Sequence, residues 1–319
     1  MTGVQTCALP ISDVYDDLFL KRYATALIKK QWGANLSKFS GVAMLGGVTM
    51  NGETIYFSGL DFEVTGYDTE AKSFGKDILV SESLVGAILK ADYVVLCTPT
   101  RRTPEIIRLI AKEMKKGTYL IEISSEKSKV VSSLSKMPDK INPICIHPMF
   151  GPGIKTIKGQ NIISVPIKDA KKELTVTKTL FSGANFVTID AIEHDKKIAV
   201  ILGLTHLMNL VFANIISKDE KMLLTEKMSG TTFRVQKTLA ESIMTETPEL
   251  IETIIANPEI RRVAEELWKD IGRLLTSVQE SKTEEVIEYI KNCQERLSKH
   301  TDLDESYKKL SKMVKSVEK

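Results

Sequence analysis

The sequence contains little cysteine, little excess charge and no long apolar run. Its four cysteines, Cys7, Cys97, Cys145 and Cys293, have no C-x-x-C spacing. This argues against a zinc site or a disulfide framework and favours a reducing, cytoplasmic location. The net charge is only +3 and no basic stripe is interleaved with aromatics, so we expect no nucleic acid partner. No apolar run approaches the length of a membrane span, so we expect no membrane association.

The length of 319 residues and a hydrophobic content of 43% predict a globular protein with two domains. Two segments precede them. Residues 1–12 resemble translated sequencing-adapter sequence and are interpreted as a non-native artefact, with no features of a signal peptide. Residues 13–40 are predicted to form an N-terminal helical extension, because apolar residues recur on one helical face.

Residues 41–190 alternate between short apolar runs and helical stretches. The runs at 41–45, 62–67, 93–97, 119–123 and 144–146 read as strands, with a weaker one near 78–80. Strands separated by helical stretches indicate parallel βαβ units. The sequence therefore predicts an α/β fold with a doubly wound, Rossmann-type nucleotide-binding domain. The runs 162–165 and 186–189 would extend the same sheet.

Residues 191–280 have only helical patterns and are predicted to form an all-α domain. Residues 281–319 would form a C-terminal helical tail, with a lysine-rich end that frays. The first long helix is apolar over much of its circumference between Ile198 and Val211. Such a helix is buried within a domain or against a second subunit. We therefore expect a homodimer, formed through this helical domain.

A partial dinucleotide fingerprint follows the first strand. Gly46 and Gly47 form the turn, Gly47 and Gly52 hold the outer places of G-x-G-x-x-G, and Asp68 ends the next strand. An acid at that place binds the adenosine ribose and disfavours a 2′-phosphate, which favours NAD over NADP. The central glycine is replaced by Thr49, so a glycine turn without a ligand is the alternative.

His147 is the strongest candidate for catalysis. It follows the apolar run 144–146, in the stretch His-Pro-Met-Phe-Gly-Pro. A ligand-binding crevice lies at the carboxyl ends of strands in such sheets. An imidazole with a pKa near neutrality can accept a proton from a substrate hydroxyl there. A histidine bonded within a turn is the alternative.

Taken together, these features resemble the prephenate/arogenate dehydrogenase family of tyrosine biosynthesis over roughly residues 41–278. The resemblance rests on five motifs: the hexapeptide from His147 to Pro152, Glu193-His194-Asp195, Thr205-His206-Leu207, Phe233-Arg234 and Ser124-Ser125-Glu126-Lys127. It implies NAD- or NADP-dependent oxidative decarboxylation of prephenate to 4-hydroxyphenylpyruvate. Arogenate is the close alternative substrate.

The resemblance also implies roles for single residues. His147 would be the base, and Ser125 would orient it together with the substrate hydroxyl. His206, Arg234 and Gly151 would contact the substrate. Thr98 and Pro99 would lie beneath the nicotinamide, and no metal is implied.

Three positions depart from the family pattern. Ser242 stands where the family has an arginine that grips a substrate carboxylate, Glu126 stands where a small apolar residue is usual, and Thr49 replaces a glycine. A guanidinium binds carboxylates through paired, charge-assisted hydrogen bonds that serine cannot make. A non-catalytic, ligand-sensing relative is therefore the alternative from a different functional class.

Overall fold

The computed structural model describes residues 43–44, 48–49, 65–69, 79–150, 154 and 156–317. The predicted artefact and N-terminal extension lie outside them. The described part divides into two compact units, an α/β unit that ends at Asp195 and a helical unit that begins at Lys196. The division falls within one helix, five residues after the predicted domain boundary at 190/191.

The strands of the α/β unit are mostly short. In chain order they are β1 (Ala43–Met44), β2 (Val48–Thr49), β3 (Thr65–Gly66), β4 (Leu79–Val80), β5 (Tyr93–Leu96), β6 (Tyr119–Glu122), β7 (Asn142–Pro148), β8 (Asn161–Ser164) and β9 (Asn185–Thr188). The last five form one sheet in the order β5-β6-β7-β8-β9, and β3 pairs with β4 in parallel. The α/β fold class is confirmed.

Among the described residues, four helices connect these strands. They are α1 (Leu84–Ile88), α2 (Thr103–Ile110), α3 (Ser128–Ser135) and α4 (Ala170–Leu180). Every residue of β5 is buried, as are Leu120, Ile121, Ile144 and Ile146 of the next two strands. A strand that is apolar along its whole length is covered on both faces, which is why these runs were readable from sequence.

The sheet is not parallel throughout. β5, β6 and β7 pair in parallel, but β8 returns antiparallel to the carboxyl end of β7, and β9 is parallel to β8. The all-parallel expectation is wrong at this step. The reason is that no helix is described between β7 and β8, and a parallel connection needs such a crossover.

The helical unit contains the end of α5 (Ala191–Ile198), which begins in the α/β unit, then a π-helical segment (Ala199–Leu204) and, among the described residues, seven further helices. The bounds are α6 (Thr205–Ile216), α7 (Met222–Met228), α8 (Thr231–Ile243), α9 (Pro248–Ile255), α10 (Pro258–Gln279), α11 (Thr283–Ser298) and α12 (Leu303–Val317). Helix α6 packs on α8, and α10 packs on the π segment.

The lysine-rich segment is helical as far as the structure describes it. Residues Leu303–Val317 form α12, which packs against α8 and buries Val314, and the predicted fraying of its end stays a prediction. Its apolar residues recur at helical spacing among the lysines, so one face is covered while the charged face remains in water.

One helical stretch corrects the expectation about apolar runs. The 26 residues Ala191–Ile216 have the length and mean hydropathy, 1.9, of a membrane span. Only a third of the most apolar part is buried within the chain. The same stretch nevertheless carries buried polar side chains that hydrogen-bond within the protein, among them His194 and Asn209.

Candidate active site

His147 lies on β7, just after the point where pairing with β6 ends and pairing with β8 begins. Up to Cys145, β7 pairs in parallel with β6, and from Ile146 it pairs antiparallel with β8. His147 is opposite Ile163 in that second ladder. Its side chain is only 5% exposed. The sheet therefore holds the imidazole at the carboxyl end of β7, at the edge where α/β sheets bind ligands.

The His147 ring belongs to a chain of three buried polar side chains. Its Nδ1 lies 3.1 Å from Nε2 of His194, and Nδ1 of His194 lies 2.8 Å from Oδ1 of Asp195. His194 and Asp195 are 1% and 3% exposed. Both come from α5. Asp190 lies just before this helix, and its side chain accepts hydrogen bonds from the first amides of the helix. Helix α5 thus brings a second imidazole and a carboxylate to β7.

Asp195 is held as a carboxylate by the start of α3. Its Oδ1 accepts the Lys127 amide and its Oδ2 accepts the Ser128 amide, each at 2.8 Å. Burial alone would raise the pKa of Asp195, but the hydrogen bonds from His194, Ser128 and Lys127 outweigh it and lower the pKa to about 2. The group is therefore fully ionised at neutral pH.

A buried ion pair lies at the adjoining ends of β6 and β7. Lys127 donates from Nζ to Oε2 of Glu122 at 2.7 Å and to the Ile146 carbonyl at 2.6 Å, and both charged side chains are 0% exposed. The other oxygen of Glu122 accepts the Ser124 amide at 2.6 Å. Lys127 consequently fixes the loop after β6 through its side chain while its amide holds Asp195.

The surroundings of His147 keep its ring neutral. Burial, then the positive charge of Lys127, then His194 lower the pKa of His147 well below its ordinary value, while Asp195 opposes the shift. At neutral pH the imidazole is therefore uncharged and retains one nitrogen lone pair. That is the form a general base requires.

Ser125 makes no hydrogen bond to His147 in the structure. It is half-buried in the loop after β6, and Nδ1 of His147 is bonded by His194. The neighbouring Ser124 hydroxyl donates to the Glu126 carbonyl at 3.0 Å, and the Glu126 carboxylate pairs with Lys129. The role predicted for Ser125 stays a prediction.

The predicted cofactor residues that the structure describes lie at strand ends. Asp68 follows β3 and is 8% exposed. Thr98 and Pro99 follow β5, and Thr103 fixes their turn, because its hydroxyl lies 2.6 Å from the Thr98 hydroxyl and 3.2 Å from the Pro99 carbonyl. An acid and a rigid turn at the carboxyl ends of strands fit a pyridine nucleotide.

Most of the predicted phosphate loop lies outside the described residues. Gly46, Gly47 and Gly52 are not among them, nor is Gly151. Two short strands are described there, and Val48–Thr49 pairs antiparallel with Ala43–Met44. The predicted phosphate loop and its glycines therefore stay a prediction.

In the helical unit, His206 faces an acid. Its Nδ1 donates to the Leu202 carbonyl at 2.7 Å, and its Nε2 lies 3.4 Å from Oε2 of Glu246. Nε2 of His206 and Oε2 of Glu246 are both buried, and neither has a hydrogen-bond partner among the described residues. Burial alone would lower the pKa of His206, but Glu246 and the Leu202 carbonyl raise it above its ordinary value. His206 therefore tends to carry a positive charge.

The other predicted substrate residue, Arg234, is half-buried on α8 and donates from Nε to the Ser229 hydroxyl at 3.2 Å. Ser242, the last residue but one of α8, donates its hydroxyl to the Leu239 carbonyl at 2.8 Å. Lys237, between them, pairs with Glu226 at 3.0 Å and with Glu241. The Ser242 hydroxyl and the Lys237 ammonium are thus bonded within α8 or to α7.

Sequence reasoning missed the roles of His194, Asp195, Lys127 and Glu122. A signal was present: a histidine and an aspartate follow one another at the start of a helix, and a lysine follows a strand that ends in glutamate. Neither pattern is informative until the topology shows that β6, β7 and α5 meet.

Two family models match the two units in order. The model described as prephenate dehydrogenase, nucleotide-binding domain, matches residues 52–185. The model described as prephenate dehydrogenase, dimerization domain, matches residues 190–292. The chain belongs to the prephenate/arogenate dehydrogenase family. A third model, bacteriophage T4 neck protein gp13, matches residues 5–62, nearly all of them outside the described residues.

Individual relatives of the family are distant. A curated protein of Methanocaldococcus jannaschii, named probable arogenate/prephenate dehydrogenase, is 24% identical over 217 residues, which are 65% of this chain. The chain spans about half the length of that relative, 49%.

Two solved structures share the fold. One is Aquifex aeolicus prephenate dehydrogenase in complex with hydroxyphenyl propionate and NAD+, with a TM-score of 0.62 at 20% identity, covering 76% of this chain and 91% of that one. The other is Synechocystis arogenate dehydrogenase, with a TM-score of 0.54 at 13% identity, covering 75% and 92%. Both confirm the Rossmann-type domain followed by a helical domain.

Proposed function

We propose that the protein catalyses the oxidative decarboxylation of prephenate to 4-hydroxyphenylpyruvate with NAD or NADP as oxidant. One observation carries the proposal: a neutral, buried imidazole, His147, is held at the carboxyl end of a central strand. Membership in the family supplies the reaction class. Arogenate is the alternative substrate, since relatives of both names share the fold.

In the proposed reaction, His147 acts as general base. Its Nε2 accepts the proton of the C4 hydroxyl as the C–H bond at C4 breaks and C4 becomes a carbonyl. A pyridine nucleotide, held by Asp68 and the turn of Thr98 and Pro99, would supply the redox chemistry by accepting the hydride. The bond between C1 and the ring carboxylate then breaks, CO2 leaves, and its electron pair completes the aromatic ring as the C4 oxygen takes the proton back from His147. Because the ring becomes aromatic, the overall step is strongly downhill.

The remaining site residues would bind and orient. Asp68 would accept hydrogen bonds from the adenosine ribose, which favours NAD, and the turn of Thr98 and Pro99 would support the nicotinamide ring. Gly46, Gly47 and Gly52 would form the loop around the phosphates. His206, as an imidazolium, and Arg234 would pair with the two carboxylates of the substrate. Gly151 would let the substrate approach the backbone closely, and Ser125 would bond the C4 hydroxyl.

The test compares two substrates and two cofactors. Purified protein is mixed with prephenate or arogenate, and with NAD or NADP, and both reduced nicotinamide and the aromatic product are measured. We expect one substrate and NAD to give the highest kcat/KM. Absence of product in all four mixtures at high protein concentration would defeat the proposal.

We also propose a cytoplasmic homodimer. Five apolar side chains on the π segment and α6 are between 46% and 62% exposed: Val200, Ile201, Met208, Val211 and Ile215. An exposed apolar face of this size needs a cover in water. A second copy of the chain is the partner we propose to cover this face, since the domain matches a dimerization domain. A monomeric mass by light scattering at micromolar concentration would contradict it.

A ligand-sensing relative without turnover is the second candidate. Ser242 in place of the expected arginine and Thr49 in place of a glycine favour it. Isothermal titration distinguishes the two, because a sensor would bind the substrate in the presence of nucleotide without forming product.

A further inference from the structure

We infer that His194 and Asp195 are positioning residues for His147, which keep the ring proton on Nδ1 and leave Nε2 as the nitrogen that accepts the substrate proton. The inference deepens the proposed function, since it concerns how the proposed base is kept ready. Neither residue needs to touch the substrate. The argument proceeds from Asp195 outward, one hydrogen bond at a time.

Asp195 can only accept hydrogen bonds. Its two oxygens already accept amides of the Lys127–Ser128 loop at 2.8 Å, and these donors are fixed because they belong to the backbone. The third contact, from Nδ1 of His194 at 2.8 Å, therefore requires a proton on that nitrogen. The carboxylate thus determines which nitrogen of His194 is protonated.

The protonation of His194 in turn determines which nitrogen of His147 carries its proton. When a neutral imidazole is protonated on Nδ1, its Nε2 has only a lone pair. Nε2 of His194 lies 3.1 Å from Nδ1 of His147, so His147 donates there whenever His194 is neutral. Its own Nε2 is then the acceptor. No described residue hydrogen-bonds to that nitrogen, which leaves it available for a hydroxyl.

The same chain stabilises the charged state that forms during the reaction. When Nε2 of His147 takes a proton, the ring becomes an imidazolium beside Lys127, whose charge opposes it. The hydrogen bond to His194, polarised by the Asp195 carboxylate behind it, offsets that repulsion. A buried carboxylate that orients one histidine achieves this in hydrolases, where its amide variant loses about 10⁴-fold in turnover because the wrong tautomer forms. Here two imidazoles are in series.

The direct test is imidazole ¹⁵N NMR, which reports the tautomer without any turnover. The chain has only four histidines, and the His147→Asn spectrum identifies the signals of that ring. In the wild type at neutral pH we expect His147 to be protonated on Nδ1 and unprotonated on Nε2. In Asp195→Asn the side-chain amide can donate to His194 and reverse the chain, so we expect the proton of His147 on Nε2.

Turnover should follow the tautomer. We expect Asp195→Asn to lower kcat by roughly 10²–10⁴-fold, with little change in nucleotide affinity. Asp190→Asn is the matched control, because Asp190 also accepts amides at the start of α5 but lies outside the chain of imidazoles. That variant should retain wild-type kcat and the wild-type tautomer.

A second pair of variants guards against local misfolding. His194→Gln can still accept from His147 through its oxygen and donate to Asp195, so it should stay within about tenfold of wild-type kcat. His194→Leu can do neither and should lose at least about 10²-fold. Equal losses in the two variants, or a wild-type His147 protonated on Nε2, would overturn the inference. If the tautomers are as expected but no substrate is turned over, the proposed function fails and the positioning role stands.

Discussion

The two units treat their buried histidines in opposite ways. In the α/β unit, His147, His194 and Asp195 satisfy one another, and the pKa of His147 lies below its ordinary value. In the helical unit, His206 and Glu246 face each other at 3.4 Å without a hydrogen bond, and the pKa of His206 lies above its ordinary value. The surroundings of one ring resist its protonation, whereas those of the other favour it.

This difference has opposite consequences for stability. When the pH falls below about 6.5, the unfolded chain protonates His147 while the folded protein resists, so acid weakens the fold at this site. For His206 the sign is reversed, because its folded pKa is raised: its contribution is fully present below the unfolded pKa and is lost as the pH rises through the folded value. The four predictions below test the contrast in order of expected effect.

The largest effect is expected from His147→Asn, which removes the base of the α/β unit. Asparagine keeps a polar side chain of similar reach but cannot accept a proton at neutral pH, so turnover should fall by roughly 10²–10⁴-fold. Nucleotide binding, measured by titration calorimetry, should be retained. His300→Asn, at an exposed histidine of the helical unit, should keep full turnover. Unchanged turnover in His147→Asn would remove His147 from the mechanism.

Lys127→Met tests whether the order in the α/β unit depends on its buried ion pair. The substitution leaves Glu122 buried without its cation, so the free energy of unfolding in urea should fall by about 3–5 kcal/mol. The double variant with Glu122→Gln should recover part of the loss. Lys129→Met removes an exposed partner of Glu126 and should cost less than about 1 kcal/mol. A similar cost in both single variants would show that the buried pair of Lys127 and Glu122 contributes no more than an exposed one.

Gly203→Ala tests the packing that supports the π segment before His206. A Cβ at Gly203 would lie 2.1 Å from Cδ1 and 2.3 Å from Cγ1 of Ile260, which is buried on α10. We expect a loss of roughly 1–3 kcal/mol from overpacking, partly relieved by adding Ile260→Ala. Gly272→Ala has open space around it and should be neutral or stabilising. Thermal unfolding of the three variants would decide the matter.

The smallest effect is expected from Glu246→Gln, which removes the acid facing His206. The stabilisation lost should be about 0.5–1 kcal/mol at pH 6 and should be smaller at pH 9, because the contribution of His206 is lost as the pH rises through its folded pKa. Urea unfolding at both pH values gives the difference, with the exposed Glu288→Gln as control. A loss of equal size at pH 9 would show that His206 does not carry the charge inferred for it.

The sequence predicted those features that depend on hydrophobic periodicity and on the position of residues along a strand. The buried strands, the order of the two domains and the place of His147 at a strand end follow from apolar runs, which local patterning records directly. The fold class is confirmed by the relatives of both domains.

What sequence reasoning missed depends on long-range pairing. The partners of His147 lie 47 residues away on α5, and the amides that hold Asp195 lie 67 and 68 residues from it. The antiparallel pairings of β8 with β7 and of β2 with β1 likewise depend on which strand is the neighbour. No local pattern encodes such pairings. The role predicted for Ser125 came from the family resemblance, whereas the contact of His194 with the base is visible only in the structure.

The π segment should be visible in sequence alignments of this chain. A helical turn that accommodates an extra residue is equivalent to an insertion of one amino acid, and such turns are frequent at functional sites. Deleting a single residue between Ala199 and Leu204 would restore regular winding, and everything downstream would turn by about 100° around the helix axis. His206 would then point away from Glu246, although the chemical composition of the helix would scarcely have changed.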